Sequence, residues 1–325
     1  MKNVFVLLLL PVMSVSAQTQ SDSIKKRAGK AITNKFPTTR FLDLQYEQFS
    51  ETDYDSEYKR KDLEEGTIKS QRRFKAAMNV QLIKKPTWSI TASARYKLES
   101  FDIEKVRNVS EDFQDFPLTK SEDYHFFSTS LSYTKFSMLF KKPVMFNATV
   151  TADGSDEGYE RITGMILTTL ILKKNERTTI GAGFVAFVDP ASQFPALPVF
   201  TYEHKFAGSA WTLDLIVPRY IYMRRPLLEN GRLSLGSAFE SEGFYTYTSQ
   251  SGFANVNSFS RNEVKTGFIY EYHLNKSLIA TFRGGVANIF GGQLSERGER
   301  RDKDNLEVKQ DMNGYFNIGF SYNPF

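Results

Sequence analysis

Hydrophobic and polar positions alternate with a period of two over most of this chain. In "TWSITASARYKLE" (87–99), Trp88, Ile90, Ala92, Ala94, Tyr96 and Leu98 fall on one face. Ser89, Thr91, Ser93, Arg95, Lys97 and Glu99 fall on the other. A helix would scatter both sets around its circumference. The same alternation carries Phe74, Ala76, Met78, Val80 and Leu82. It sets Phe127, Leu131 and Tyr133 against Ser128, Ser130, Ser132 and Thr134, and Val264, Phe268, Tyr270 and Tyr272 against Lys265, Gly267 and Glu271. No stretch after residue 40 sustains a helical period, so the chain is expected to be all-β.

The connectors sort into two kinds. "IKKPTW" (83–88), "FKKPVM" (140–145) and "LKKNER" (172–177) are near-copies, and "HLNKSL" (273–278) is a looser one. Longer polar segments, 53–66, 100–123, 249–258 and 291–311, fall between them. Short turns on one side and long loops on the other is the asymmetry of a membrane barrel. The expectation is one transmembrane, antiparallel, up-and-down β-barrel over 40–325. Closure leaves no edge, so the last strand must pair with the first. "AGSA" (207–210) and "LLENGR" (227–232), the latter with Asn230-Gly231, read as turns. Pro218 lacks the N–H of a central strand, which places a hairpin there between two short strands. The count is then fourteen strands, with twelve as the fallback if the short pair stays outside the wall.

Composition narrows the class. Aromatics make up 14% of the chain, with 28 Phe and 16 Tyr, which suits strands and membrane-interface belts. Charged residues make up 24%, and no apolar run reaches the length of a spanning helix. Cys is absent, which excludes disulfides and thiol chemistry. The formal charge of +5 comes from Lys and Arg dispersed among acids, so no nucleic-acid partner is expected. "MKNVFVLLLLPVMSVSAQTQ" has a lysine, an apolar run and Val15-Ser16-Ala17, the pattern of a signal peptide over 1–17. Residues 18–39 then form a flexible periplasmic segment, and the expected location is the outer membrane.

A charge on the lipid face costs roughly 2–4 kcal/mol at mid-depth. The charged phase of each strand should therefore face inward. This assigns Asp43, Glu47, Asp214, Glu240 and Glu271 to the lumen, with Arg73, Lys75, Arg95, Lys97, Arg219, Lys265 and Arg283. Mixed signs allow a structural network or a water-filled passage. The similar numbers of acids and bases favour the network slightly. The leading function is a passive channel or structural role, with no cofactor and no metal. Outer-membrane lipid, lipopolysaccharide and the barrel-assembly machinery are the expected partners, and the solute is unidentified.

Two other functions compete. His125 near Ser128 would suit an outer-leaflet lipid hydrolase, although no GxSxG occurs. A secreted soluble β-sandwich adhesin is the third. "GGQLSERGERRDKD" (291–304) reads as a mobile outer loop and "ADGSDEGYE" (152–160) as a hydrated turn.

Residues 197–245 combine Pro198 and Tyr202, a strand from Trp211 to Pro218, Tyr222 and the strand "NGRLSLG". That pattern resembles an uncharacterised, domain-of-unknown-function family of bacterial outer-membrane β-barrels. The resemblance implies fold and location and carries no activity. The terminal stretch "NGYFNIGFSYNPF" also resembles the assembly signal of such barrels, through Phe320, Tyr322 and Phe325. Pro324 sets Phe325 one residue out of step.

Overall fold

The computed structural model describes residues 35–109, 119–249, 253–300 and 306–324. The signal-peptide reading and Phe325 lie outside the described residues. The first wall strand is built from β1 (Leu42–Phe49) and β2 (Thr52–Tyr58). Long strands β3 (Lys61–Lys84), β4 (Trp88–Asn108), β5 (Glu122–Leu139), β6 (Lys142–Ser155) and β7 (Gly158–Lys174) follow. Shorter ones come next: β8 (Thr178–Val188), β9 (Ala196–Lys205), β10 (Thr212–Val217) and β11 (Tyr220–Leu227). The wall ends with β12 (Gly231–Tyr247), β13 (Val256–His273) and β14 (Leu278–Glu296), then β15 (Leu306–Gln310) and β16 (Asn313–Tyr322) as one interrupted strand.

Every wall strand, with β1–β2 and β15–β16 each counted as one, pairs antiparallel with its neighbour in sequence, and β1 closes the ring between β3 and β16. Leu42 lies opposite Tyr322 and Phe49 opposite Tyr315. The chain is thus a closed antiparallel barrel of 14 strands, and the fallback of twelve is set aside. A soluble sandwich is also set aside, because one ring has no second sheet. The interruptions in the first and last strands face each other. The Ser50 N–H donates to the Gly314 carbonyl (2.8 Å) and the Asp311 N–H to the Asp53 carbonyl (3.1 Å), so the ladder is bridged across both breaks.

Six turns lie at one end, at 85–87, 140–141, 175–177, 206–211, 228–230 and 274–277. The Lys-Lys motifs sit at the first three. At 140–141 both residues have positive φ, 50° and 60°, as a twisted two-residue hairpin turn needs. The far end departs from the expected sorting. It holds the longer connections 109–121, 189–195, 248–255 and 297–305, but also tight turns at 59–60, 156–157 and 218–219. Of their described residues, most in the polar segments 53–66, 100–123 and 291–311 are strand rather than loop. Their backbone continues the ladders of β2–β3, β4, β14 and β15 beyond the apolar belt, where polar side chains meet water at no solvation penalty.

That belt is the outward phase of the wall. Met78, Val80, Leu82, Leu131, Tyr133, Val150, Ile162, Ile166 and Phe184 are all exposed on it. Phe320 and Tyr322 are 48% and 40% exposed on the same face. Large exposed apolar side chains around a whole ring are stable only against lipid. No described helix is long and apolar enough to cross a membrane.

Candidate functional site: the barrel interior

Strand periodicity brings one ring of inward charges to a common level. Six cations, Arg73, Lys75, Lys97, Arg261, Lys265 and Arg283, meet five carboxylates, Glu47, Glu99, Glu240, Glu242 and Glu263. Arg73 is fully buried and bridges Glu47 (2.9 Å), Glu99 (2.7 Å) and Glu263 (2.6 Å). Lys265 reaches Glu47 (2.7 Å), Glu240 and Glu263 (both 3.1 Å). Arg261 holds Glu263 at 3.0 Å and pairs with Glu99. Lys75 pairs with Glu242, and Lys97 donates to the same carboxylate at 2.8 Å. The ring joins β1, β3 and β4 to β12, β13 and β14 across the interior.

An aromatic layer lies over the ring for the same reason of period. Phe49, Phe101 and Phe244 each follow a network glutamate by two residues, and Phe259 precedes Arg261 by two. The Arg73 guanidinium sits 5.1 Å from the Phe49 ring, and Arg261 5.6 Å from Phe101. Phe244 stacks on Tyr124 at 3.9 Å and on Phe259 at 5.0 Å. These rings exclude water from the ion pairs, which raises their mutual attraction.

The far part of β12 crosses the interior. By phase Tyr245 and Tyr247 share the outward face of Phe239. Yet the Tyr245 hydroxyl bonds Asp153 on the inner face of β6, and Tyr247 bonds Ser155 and Glu160 (2.7 Å to the latter). The β12–β13 hairpin has turned inward, with a register shift between Ser260 and Asn262 of β13. The cause lies in β11, whose pairing with β12 ends at Tyr220–Ala238. Beyond that point one edge of β12 has no strand beside it, and bare backbone is costly in hydrocarbon. Inward, the Gly243 carbonyl accepts from Lys97 at 2.7 Å. Arg297 meets Glu160, and the Arg300 guanidinium donates to the Pro190 carbonyl (3.3 Å), so the end of β14 also reaches over to β7 and β8.

Residues 35–40 occupy the short-turn end. The reading of 18–39 as a loose lead-in does not hold for this part. Arg40 is buried and bridges Glu271 (2.6 Å) and Ser321 (2.9 Å), and Ser321 donates to Asp43 (2.6 Å). The Asn79 amide donates to the Thr38 (2.9 Å) and Arg40 (2.6 Å) carbonyls. From there the chain crosses to the opposite wall. Lys35 bridges Asp214 (2.7 Å) and Glu203 (2.8 Å), and Asp214 also takes Arg224 at 2.9 Å. Phe36 lies 6.1 Å from the Tyr220 ring and 4.4 Å from the Arg219 guanidinium.

Between the crossing hairpin and β5–β9 the interior stays open. Ser128, Ser130, Ser132 and Thr134 line it from β5, and the β7–β9 side adds Met165, Leu167, Val185, Phe187, Leu197 and Val199. All keep intermediate solvent exposure on the inner phase. Arg95 is exposed into this space, close enough to Arg219 for their charges to interact.

The twelve sequence-named lumen residues all fall on the inner side, in different places. Glu47, Arg73, Lys75, Lys97, Glu240, Lys265 and Arg283 join the ring, Asp43 and Glu271 hold Arg40, Asp214 holds Lys35, and Arg95 with Arg219 stand in the open lobe. Sequence reasoning missed Glu242, Arg261 and Glu263, and put Glu99 on the polar face without naming it as a lumen charge. The signal was there, since each lies two or four residues from a named lumen charge on its own strand. His125 is overturned as a partner of Ser128, because three residues apart on a strand means opposite faces. Its Nδ1 meets the Tyr96 hydroxyl at 3.0 Å on the outer face. Among the described residues no cluster of His, Asp and Glu could hold a metal.

Fold and interior define a fourteen-strand, membrane-type β-barrel whose lumen is polar, ion-paired and partly filled. The chain belongs to the family described as a domain of unknown function (DUF6268), whose model matches residues 15–323. No curated protein matches it. Among solved structures it is similar to a Pseudomonas aeruginosa FadL homologue, at 7% identity and TM-score 0.43, covering 88% of this chain and 90% of that one. It is similar also to outer membrane phospholipase A from Escherichia coli (10%, 0.32, 86% and 97%) and to an outer membrane channel from Pseudomonas putida F1 (9%, 0.35, 86% and 93%). At these identities the likeness concerns fold alone.

Proposed function

We propose that this protein resides in the outer membrane and serves as a gated passive transporter for small solutes. Assembly would use the amphipathic last strand, including Phe320 and Tyr322, as the signal read by the insertion machinery, and the exposed belt would contact lipid and lipopolysaccharide. The observation that supports transport is the division of the interior. One half is welded by ion pairs and leaves no room for a solute. The other half is open, lined mostly by uncharged side chains along β5 and β7–β9, and crossed at its foot by residues 35–40. A barrel kept only for structure has no use for an open lobe with a removable segment in it.

The test is conductance of the mature chain in planar bilayers. The intact protein should show low, intermittent conductance. A variant lacking 18–36 should conduct steadily, and Lys35→Ala should fall between. Equal, silent membranes from all three, with each barrel correctly folded, would remove the transport reading.

A further inference from the structure

The open lobe has an exit that is neither of its ends. The β10 strand has six residues, a rise of about 15 Å in a tilted strand against an apolar band of about 25 Å. The hairpin at Pro218–Arg219 therefore stops short of a full crossing. Beyond it β9 from Ala196 to Val199 and β12 from Glu240 to Tyr247 have no strand between them. Residues of β9 with even numbers direct their backbone toward this gap, as the Phe187-to-Pro195 bond on the other edge requires. Pro198 is one of them, and it presents no N–H there. The β12 edge turns inward and gives one carbonyl to Lys97. Each side of the gap thus has one backbone polar group fewer to leave bare to lipid, which favours a lasting opening in a membrane wall. Toward the far end, Tyr247, Arg297 and Arg300 bind across to β6–β8, while residues 35–40 cross the foot.

Two cations face the space behind the gap. Among the described residues neither Arg95 nor Arg219 has a carboxylate within ion-pair distance, although the charge of Glu240 reaches Arg219 from further off, whereas every cation of the neighbouring ring is paired. Arg219 lies at the lip of the gap itself, stacked on Phe36. Beside them the inner wall is aliphatic, through Met165, Leu167, Val185, Leu197 and Val199. Two guanidiniums with no close ion pair among the described residues, next to an apolar wall and a lateral gap, match an anionic head with an apolar tail.

We propose that the open lobe binds an amphipathic anion, its head on Arg95 and Arg219 and its tail along β7–β9, entering from the bilayer between β9 and β12. This rests on the reading of the lobe as an open passage, but binding needs no conduction, so the two fail separately. The probe is 11-(dansylamino)undecanoate, added to the intact protein in nanodiscs of neutral phospholipid. Saturable fluorescence should be displaced by dodecanoate or dodecyl phosphate, whichever is stronger telling a carboxylate from a phosphate head. Dodecyltrimethylammonium and acetate should not displace it. Arg95→Gln and Arg219→Gln should each weaken binding about tenfold, the loss of one charged hydrogen-bond set. Arg95→Lys should restore most of it, which a mere folding defect would not allow. A bulky maleimide on Ser241→Cys, in a chain with no other cysteine, should slow probe entry several-fold. Displacement by the cationic amphiphile, or unchanged affinity in both Gln variants, would overturn the site. An unchanged entry rate in the labelled protein would overturn the lateral route.

Discussion

Four carboxylates converge on Arg73, Glu47, Glu99 and Glu263 closely and Glu242 at 4.0 Å, and this residue shows how the interior is held. A buried ion pair gives little net stability over apolar packing, but removal of one partner leaves the others charged and dry. Arg73→Met would leave Glu47, Glu99 and Glu263 sharing Arg261, Lys265 and the more distant Lys97. The expected loss is about 3–5 kcal/mol, read as a lower urea midpoint of the detergent-folded barrel. Arg95→Met should change the same midpoint by less than about 0.5 kcal/mol, since Arg95 neutralises nothing. Equal losses from the two would mean that the ring is not the structural part of the lumen. Phe49 and Phe101 belong with this prediction. Their rings keep water from the ring of charges, so removal of either also weakens the pairs beneath.

At the level of elements, β12 and β13 decide the shape of the lumen. Their far half lies inside the barrel because β11 ends early, and it is pinned there by tyrosine hydroxyls and one lysine. Tyr245→Phe with Tyr247→Phe removes the bonds to Asp153, Ser155 and Glu160 while preserving both rings. The hairpin should then sample the wall position more often. Cleavage by an added protease in the connection 248–255 should become faster, with little change in global stability. A cleavage rate equal to that of the parent chain would show that aromatic stacking through Phe244 alone secures the hairpin. The N-terminal residues 35–40 are the complementary element at the other end, tied by Arg40 and Lys35 to opposite walls.

For the whole molecule, closure and the exposed belt make the strongest physical statement. A ring of strands closed by the pairing of β1 with β16 resists dodecyl sulfate until it is heated. The mature chain should therefore migrate faster unboiled than boiled, and should partition with the outer-membrane fraction. A protein freely soluble after export, with one mobility, would refute the membrane assignment. The polar continuation of β2, β3, β4, β14 and β15 should project from the far end, where short hydrophilic proteases reach 59–60 only from that side.

Period two, the Lys-Lys turns and Pro218 were enough to derive the strand order, the count of fourteen and the inner phase of the charges. These are local properties, fixed by the geometry of a pleated strand and by the missing N–H of proline. The sequence misjudged 53–66 and 100–108, because polarity marks contact with water and says nothing of whether the backbone is paired. It also set His125 with Ser128 by proximity, although parity separates them. The inward turn of β12, the docking of Lys35 and Phe36, and the isolation of Arg95 and Arg219 belong to the tertiary structure alone. Each depends on which strands stand opposite one another across the lumen, and that distance is set by closure of the ring, not by any neighbour along the chain.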